Sequence, residues 1–324
     1  MTRKYCLTQA AGSGCARVRL TRFVPSLIVS AAGRAPISDA LLFIDHSLAI
    51  MAAPKPNPFD LTGRVAVVTG GYGALGSSMA RGLAAAGARV AILGRRAEPA
   101  QAVAQTLRDG GADVLVVAAD VTLRAQLTAA RDDVISSWGR IDILINAAGG
   151  NVARARSDNS LPFAIPMDAF DEALQLNLHG TVLPSLVFGE TMGAQKHGCI
   201  VNISSMAATQ ALSGVMAYSI AKAGVENFTR WLAVDLARRC GDGVRVNAIA
   251  PGFFLATQNR AVLVNDDGSW TPRAEAVLAK TPMARFGNHD ELQGAVVYLC
   301  SDAASFVTGV VLPVDGGFGA FSGV

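Results

Sequence analysis

Tyr218 and Lys222 are four residues apart in the segment Tyr-Ser-Ile-Ala-Lys, and together they could move a proton. Because residues at this spacing share one face of a helix, the phenol and the ammonium group are expected to lie close together. A phenol has a pKa of about 10, and a neighbouring ammonium lowers that pKa toward neutral pH by favouring the phenolate. Such a pair can supply or accept a proton when a hydride adds to a carbonyl carbon. Tyrosine and lysine also take this spacing for packing alone, so the surrounding residues must decide between the two interpretations.

A hydroxyl group precedes this pair at the end of the apolar run Gly-Cys-Ile-Val-Asn-Ile-Ser-Ser, residues 198–205. If the run is a strand, its end carries the hydroxyl into the crevice where ligands of such sheets bind. Ser205 is the candidate that would hydrogen-bond a substrate oxygen, and Ser204 is the competing candidate. The residue types alone leave the choice between these two serines open.

Short apolar runs and Ala-rich amphipathic stretches alternate from residue 64 onward. The Val- and Ile-rich runs are predicted to be strands, at 64–69, 89–93, 114–118, 141–146, 199–204, 244–249 and 310–314. Helical patterns separate them, for example at 77–86 and 98–109. This alternation predicts an α/β fold with a single doubly wound parallel sheet, a Rossmann fold, with helices on both faces.

The turn after the first predicted strand reads Thr-Gly-Gly-Tyr-Gly-Ala-Leu-Gly, residues 69–76, and leads directly into an Ala-rich helix. Glycine lets the backbone approach a pyrophosphate, and a helix N-terminus supplies free N–H groups and a partial positive charge. This placement between a strand and a helix predicts a dinucleotide site. Arg95 and Arg96, at the end of the second predicted strand, suit the 2′-phosphate of NADP better than the 2′-hydroxyl of NAD. NADP(H) is therefore favoured, and NAD(H) is the alternative.

The composition excludes several classes of protein. Only 16% of residues are charged, with 28 Lys plus Arg against 25 Asp plus Glu, so the chain lacks the clustered positive charge of a nucleic-acid binder. A hydrophobic fraction of 51% is too high for a disordered chain. No stretch reaches the roughly 18 consecutive apolar residues that a membrane span needs. The histidines and cysteines show no metal-ligand spacing, so no metal site is expected.

The first 50 residues differ from the rest, because they hold six basic and two acidic residues, a net charge of +4 that leaves −1 on the remainder. An Arg-rich, acid-poor segment is typical of a transit peptide, but a start codon assigned too far upstream of Met51 is the favoured alternative. We therefore expect residues 1–50 to be a poorly ordered leader or a mis-assigned start. Residues 51–324 are expected to form one dinucleotide-binding domain with a substrate lid at about 253–282.

Taken together, these motifs resemble the short-chain dehydrogenase/reductase family. The turn at 69–76 resembles the family's TGxxxGxG signature, with Ala74 in place of the middle glycine. Asn-Ala-Ala-Gly at 146–149 resembles its NNAG motif, and Val-Asp-Gly-Gly at 314–317 resembles its C-terminal signature. The resemblance spans roughly residues 60–324. It implies an NAD(P)-dependent oxidoreductase that acts on CH–OH groups, and a homo-oligomer, most often a tetramer.

The resemblance also assigns roles to single residues. It implies that Tyr218 is the catalytic acid/base, that Lys222 lowers its pKa and contacts the nicotinamide ribose, and that Ser205 orients the carbonyl. Asn177 is implied to hold a water that links the lysine to solvent. Besides Tyr218 and Lys222, the implied cofactor-binding residues are Gly70, Tyr72, Gly73, Leu75, Gly76, Arg95, Arg96, Asp120, Val121, Asn146, Ala148, Gly149, Pro251, Gly252 and Thr257.

Two segments are expected to shape the substrate pocket, 149–156 and 253–282. Their guanidinium groups could bind a carboxylate and their amides could bind sugar hydroxyls. The candidate substrate residues are Asn151, Arg154, Arg156, Ser205, Asn259 and Arg260. Within the family, the combination of AAGGN, NISSM, APGFFLATQNR, TPMARFG and SFVTGVVLPVDGGF resembles the D-mannonate oxidoreductase (fructuronate reductase) branch, which implies a sugar-acid substrate of the D-fructuronate/D-mannonate type.

Two alternatives remain. One is a reductase of another carbonyl, such as a 3-oxoacyl thioester, a gluconate-derived keto acid or a different ketone. The other is a catalytically silent nucleotide-sensing protein, which Ala74 and Ala256 favour and the intact Ser205, Tyr218 and Lys222 oppose. In every case we expect a small-molecule ligand, no nucleic acid and no membrane. Unpaired cysteines favour a reducing compartment, and a cytoplasmic location is expected.

Overall fold

A computed structural model of the protein describes residues 57–158 and 160–323, without the side chains of residues 257, 258 and 261. The predicted leader at 1–50 lies outside the described residues.

The strands of the described residues form one parallel sheet in the order β3-β2-β1-β4-β5-β6-β7. Their bounds are β1 (Val65–Thr69), β2 (Arg89–Gly94), β3 (Val114–Ala118), β4 (Ile143–Asn146), β5 (Gly198–Ile203), β6 (Val244–Pro251) and β7 (Val311–Val314). Every residue of β1, β4, β5 and β6 is buried, as expected where helices cover both faces of a sheet. The predicted parallel sheet is confirmed. β6 runs past its predicted end because Pro251 still pairs with Val314 of β7.

Helices cover both faces of this sheet. The α-helices of the described residues are α1 (Ala74–Ala85), α2 (Ala97–Asp109), α3 (Arg124–Trp138), α4 (Met167–Leu174), α5 (Gly180–Gln195), α6 (Met216–Cys240), α7 (Thr257–Leu263), α8 (Pro272–Lys280) and α9 (Glu291–Cys300). Helices α1, α2 and α9 pack on one face of the sheet, and α3, α5 and α6 pack on the other. Within the described part of the chain, no helix has the length and apolar character that a bilayer crossing requires.

The strand order reverses at β1, because β2 lies on one side of it and β4 on the other. Ligands of open α/β sheets bind in the crevice at the carboxyl ends of the strands beside such a reversal. The glycine turn follows β1, the segment 147–150 follows β4, and the two serines follow β5. The fold therefore brings the predicted cofactor and catalytic segments to one edge of the sheet.

The segment predicted to be a lid, 253–282, contains the two short helices α7 and α8. A bridge between Val264 and Trp270 closes the turn that joins them. Thr271 begins α8 with a side-chain cap on the backbone N–H of Ala274, and Pro272 follows it at the first helical position, a usual helix start. That this segment acts as a lid stays a prediction.

Candidate active site

Tyr218, Lys222 and Ser205 meet at the carboxyl end of β5. Tyr218 and Lys222 lie one turn apart in α6, and the lysine Nζ is 5.6 Å from the centroid of the tyrosine ring. Ser205 follows β5, and its hydroxyl lies near enough to the Tyr218 phenol to lower that phenol's pKa. The helix and the strand thus place a phenol, an amine and an alcohol side by side.

Contacts of the two adjacent serines distinguish Ser205 from Ser204. The Ser204 hydroxyl donates a 3.0 Å hydrogen bond to the buried carboxylate of Glu226, which also pairs with Arg230 at 3.1 Å. The Ser205 hydroxyl accepts a hydrogen bond from the backbone N–H of Ala207 at 3.1 Å and lies beside the phenol. Ser204 is therefore occupied by a structural contact, and Ser205 lies beside Tyr218.

Burial dominates the protonation of both groups on α6. It lowers the pKa of Lys222 to about 8, and the Nζ atom donates a 2.7 Å hydrogen bond to the carbonyl of Ile203. Burial also raises the pKa of Tyr218, although the neighbouring Ser205 hydroxyl acts in the opposite direction. The causes that act on the pKa of this phenol are therefore its desolvation and Ser205, and the expectation that Lys222 lowers that pKa stays a prediction. Tyr218 is therefore protonated at neutral pH, the form that can donate a proton.

Asn177 lies in a single π-helical turn, Gln175–His179, between α4 and α5. Its Oδ1 atom accepts from the backbone N–H of Gly150 at 2.9 Å, and its Nδ2 atom donates to the carbonyl of Gly150 at 2.9 Å. A second bond from Nδ2 reaches the carbonyl of Ala173 at 3.0 Å. The buried amide thus fixes the loop after β4. A Cβ at the neighbouring Gly149 would lie 2.8 Å from Asn177 Oδ1 and 3.5 Å from Lys222 Nζ, so both residues border this glycine.

The glycine turn after β1 forms a cradle that excludes side chains. Gly70 has φ +61°, and a Cβ there would lie 2.8 Å from the Cα of Ala148. A Cβ at Gly76 would overlap the carbonyl oxygen of Gly70. Gly73 is the N-cap of α1, so the first N–H groups of that helix open toward the crevice. A dinucleotide pyrophosphate fits this arrangement of close backbone and helix N-terminus. Ala74 is the first residue of α1 and does not line the crevice.

A cavity of about 490 Å³ extends from this cradle past the ends of β2 and β3. Its lining includes Gly70, Tyr72, Gly73, Arg95, Arg96, Asp120, Val121, Ala148 and Gly149. The Arg96 guanidinium lies 5.1 Å from the centroid of the Tyr72 ring, and the Arg95 guanidinium lies 3.9 Å from the Asp120 carboxylate. Partial burial acts to raise the pKa of Asp120, but hydrogen bonds from Thr122 and the charge of Arg95 hold it below its ordinary value. Two cations therefore stand at the end of this cavity.

Asn146 does not line this cavity. It is buried, and its Nδ2 atom donates to Ser185 at 2.8 Å and to Asn202 at 2.9 Å. The Asn202 amide in turn donates to Thr229 at 2.9 Å. The prediction that Asn146 borders the cofactor is therefore corrected, because its side chain faces the core behind β4. It links β4, β5, α5 and α6, as the predicted strand-stabilising role requires.

A second cavity, of about 350 Å³, opens beside Ser205 and Tyr218. Most of its wall is apolar and includes Leu75, Phe253, Phe254, Leu212, Val215, Val262 and Leu263. The polar side chains among its described lining residues are Asn151, Arg156, Ser204, Ser205, Tyr218, Asn259 and Arg273. Pro251 and Gly252, at the end of β6, also line it. Its described lining carries two arginines and no carboxylate, so the cavity favours an anionic ligand.

Two of the predicted substrate residues lie elsewhere. Arg154 points to the surface, where it pairs with Asp168 at 2.8 Å and Glu172 at 3.5 Å. Arg260 is exposed on α7 and does not line the cavity. Both expectations are corrected. A short helical turn directs the Arg154 side chain away from the cavity, and α7 presents the Arg260 side chain to solvent. The cavity's guanidinium groups come instead from Arg156 and Arg273.

Other predicted residues are only partly available to a ligand. Asn259 lines the cavity, but its amide accepts from the backbone N–H of Ala256 and donates to the carbonyl of Phe254, each at 2.8 Å. The amide therefore fixes the start of α7. Thr257 begins α7, and its side chain lies outside the described residues. Asn151 is exposed at the cavity edge.

Comparison with known proteins places this geometry in a family. A family model described as enoyl-(acyl carrier protein) reductase matches residues 70–319. The uncharacterized oxidoreductase UxuB of Bacillus subtilis (strain 168) is 44% identical over 275 residues, which cover 82% of this chain and 98% of that protein. The chain belongs to the short-chain dehydrogenase/reductase family. The resemblance predicted from the motifs is thereby confirmed.

Solved structures of short-chain dehydrogenases/reductases match over the same range. A Haemophilus influenza protein proposed to be a D-mannonate oxidoreductase, crystallised with NAD, is 39% identical with a TM-score of 0.77 and covers 82% of this chain and 98% of its own. A gluconate 5-dehydrogenase from Burkholderia cenocepacia J2315, in complex with NADP and tartrate, is 35% identical with a TM-score of 0.73 and the same two coverages. The chain is an oxidoreductase of the short-chain dehydrogenase/reductase type.

Two residues of this short-chain dehydrogenase/reductase site were not predicted from the sequence. Glu226 lies four residues after Lys222 and holds Ser204. Its position on the same helix face could have revealed it. Arg273 follows Thr271 and Pro272, a helix-start signal that predicts its place in the first turn of α8. That its side chain lines the cavity is seen only in the structure. The sequence thus indicates that both residues are helical, but it does not indicate which other segment each side chain faces.

Proposed function

We propose that the protein is an NADP(H)-dependent reductase of keto-sugar acids, interconverting a keto acid of the D-fructuronate type and a hydroxy acid of the D-mannonate type. The observation that carries this proposal is the cavity beside Ser205 and Tyr218, whose described lining holds two arginines and no carboxylate. Guanidinium groups bind carboxylates by paired charge-assisted hydrogen bonds. The names of the two similar solved structures, one proposed to be a D-mannonate oxidoreductase and the other a gluconate 5-dehydrogenase, also support a sugar acid.

The chemistry assigned to this chain is proton transfer and orientation, and the nicotinamide supplies the hydride when it is bound. Tyr218 is partly buried and protonated, so it donates the proton that the substrate oxygen needs as the carbonyl becomes an alcohol. The Ser205 hydroxyl, which lies beside the phenol, holds the same oxygen. The Lys222 pKa of about 8 lets its ammonium group return a proton toward Tyr218 near neutral pH. Asn177 positions the loop that borders both groups.

The residues that would hold the cofactor are those of the larger cavity. Gly70, Gly73 and the N-terminus of α1 would contact the pyrophosphate. Arg95 and Arg96 support NADP over NAD, because their guanidinium groups line this cavity at the end of β2 and a 2′-phosphate would need cations. Relatives have been crystallised with either dinucleotide, so the preference rests on these two arginines.

A second candidate function is the reduction of a ketone without a sugar chain. Phe253, Phe254 and Leu212 make one wall of the cavity apolar, which suits a cyclic or acyl ketone. A silent nucleotide-sensing protein is the weakest alternative, since Ser205, Tyr218 and Lys222 are assembled as a proton-transfer site.

A substrate panel tests the proposal. The purified full-length protein is assayed with D-fructuronate, a 3-oxoacyl thioester, a cyclic ketone and a gluconate-derived keto acid, each with NADPH and with NADH. We expect the highest kcat/KM for a keto-sugar acid with NADPH. A protein that binds NADPH but reduces only uncharged ketones or thioesters contradicts the proposal.

We also propose that the protein is a cytoplasmic homo-oligomer, most simply a tetramer. Large apolar side chains are exposed on α6, where Trp231 is 63% and Val234 is 58% accessible. Association would cover such a patch. Light scattering at several protein concentrations tests this, and a monomer throughout would contradict it.

A further inference from the structure

Three charged side chains meet at the mouth of the substrate cavity. The Nε atom of Arg156 donates a 2.6 Å hydrogen bond to Oδ2 of Asp158. Arg273 reaches the other oxygen of the same carboxylate, with Nη1 at 3.4 Å from Oδ1. Arg156 comes from the loop after β4, whereas Arg273 comes from the first turn of α8. Two separate parts of the chain therefore converge on one point.

The charges at this point do not cancel. Two guanidinium groups face one carboxylate, so one positive charge remains. The hydrogen bond from Arg156 lowers the pKa of Asp158, and the charges of Arg156 and Arg273 lower that pKa further. Partial burial acts in the opposite direction but is the weaker effect, so the carboxylate is ionised at neutral pH. Within the described residues, Arg156 donates only through Nε, which leaves its two Nη groups to face a ligand. A second carboxylate would complete the charge balance.

The backbone around these residues holds them in place. Gly214 has φ +77°, and a Cβ there would overlap Oδ1 of Asp158. The backbone N–H of Ser157 donates to the carbonyl of Gly214 at 3.1 Å. Arg273 donates to the carbonyl of Ser213 at 3.2 Å. The loop at 213–214 leads directly into α6, which carries the catalytic pair, so the two arginines are anchored to the same element as the proton donor.

We propose that Arg156 and Arg273 together form the recognition site for the substrate's carboxylate, with Asp158 holding their guanidinium groups in position. The inference rests on the proposed function, since it names the residues that select a keto acid for that site. Both arginines line the cavity that contains Ser205 and Tyr218, so a carboxylate bound between them would leave the rest of a short sugar chain inside the cavity. Arginine is suited to this role because its planar fork binds a carboxylate with two parallel hydrogen bonds.

A purely structural role for Arg273 predicts a different pattern of activity loss. Arg273 could simply fasten α8 to the loop before α6, in which case its loss would affect every substrate alike. Carboxylate recognition instead predicts a loss confined to acids. The comparison of an acid with its neutral analogue therefore separates the two roles.

The test measures KM and kcat for D-fructuronate and for D-fructose, which carries a CH₂OH group in place of the carboxylate. The variants are Arg156→Gln, Arg273→Gln and Arg273→Lys, with Arg260→Gln as a control that removes the same charge from an exposed position outside the cavity. For each glutamine variant of the pair, we expect KM for the acid to rise about 10- to 100-fold, as when a charge-assisted hydrogen bond is lost. KM for D-fructose should change by less than about threefold, and Arg273→Lys should retain part of the affinity for the acid because it keeps the charge.

Several outcomes would overturn the inference. Equal losses for the acid and the neutral sugar would assign Arg273 a structural role. If the ratio of the two KM values is unchanged in both glutamine variants, the substrate carboxylate binds elsewhere. If KM for the acid rises as much in Arg260→Gln as in Arg273→Gln, the effect comes from the net charge of the protein and not from a binding site. The proposed function fails separately, if the wild-type protein reduces no keto-sugar acid. Where wild type does reduce it and the variants behave like wild type, only the assignment of these arginines fails.

Discussion

Replacing Lys222 with methionine is expected to stabilise the folded protein while it abolishes turnover. Lys222 is only 3% exposed, and burial lowers its pKa from the ordinary 10.5 to about 8. At pH 7 the amine is still mostly protonated, so the folded state carries a desolvated charge that the unfolded chain exposes to water. A shift of this size corresponds to a cost of about 3 kcal/mol. Active-site groups that function requires are often destabilising in this way.

The net gain is smaller than this cost, because methionine also removes the hydrogen bond from Nζ to the Ile203 carbonyl. Leaving that carbonyl without this donor costs about 1 kcal/mol, whereas methionine fills a similar volume. We therefore expect the Lys222→Met variant to gain about 2 kcal/mol in the free energy of unfolding at pH 7. Lys196→Met is the matched control, since Lys196 is exposed and the change there should stay within about 0.5 kcal/mol.

The pH dependence of this gain has a definite sign. Between pH 8 and 10.5 the unfolded chain binds more protons at this lysine than the folded protein does, so the wild type gains stability as the pH rises. The cost of the buried charge is complete below about pH 8 and absent above about pH 10.5. The advantage of Lys222→Met should therefore fall from about 2 kcal/mol at pH 7 to about zero at pH 10.

Urea unfolding of wild type, Lys222→Met and Lys196→Met at pH 7 and pH 10, all at one protein concentration, measures these differences. NADPH oxidation by the same samples measures turnover, which should fall at least about 100-fold in Lys222→Met and stay unchanged in Lys196→Met. A Lys222→Met protein that is less stable than wild type at pH 7 would refute this prediction. A gain that is equal at the two pH values would also refute it, because the buried charge could not then be its cause.

Two further predictions concern the cofactor cavity. Changing both Arg95 and Arg96 to glutamine should raise KM for NADPH about 10- to 100-fold and leave KM for NADH within about threefold, as measured by initial rates with each dinucleotide. An equal rise in both KM values would contradict the assignment of these two cations to the 2′-phosphate. Gly76→Ala should destabilise the protein by about 1–3 kcal/mol and weaken NADPH binding, because the added methyl overlaps the Gly70 carbonyl. Gly294→Ala, in α9 where nothing lies within 4 Å of the added methyl, should instead stabilise by about 0.5–1 kcal/mol in the same unfolding assay; a similar loss in both alanine variants would count against the cradle.

Most of the fold could be predicted from sequence patterns that reflect the backbone alone, namely apolar runs, glycine positions and helical spacing. The buried strands of a parallel sheet appear as continuous apolar runs, so β1 to β7 were predicted within a few residues of their ends. The glycine turn was predicted because close backbone approach restricts Gly70 and Gly76 to one residue type. The helical spacing of Tyr218 and Lys222 was sufficient to place both side chains together.

The predictions that failed depend on side-chain direction. Arg154 and Arg156 are two residues apart in one loop, yet Arg154 pairs with surface carboxylates and Arg156 lines the cavity. No local pattern determines which way each points. Arg273 joins the site only because α8 folds back over the loop before α6.

The central claim is that Tyr218 donates the proton in the reduction of a keto-sugar acid. It is tested most directly by comparing wild type with Tyr218→Phe under single-turnover conditions, with NADPH oxidation followed by absorbance and NADPH binding by fluorescence. Because the change removes only the hydroxyl, we predict NADPH binding within about twofold of wild type and a reduction rate at least about 100-fold lower. A Tyr218→Phe protein that reduces D-fructuronate at the wild-type rate would contradict the claim.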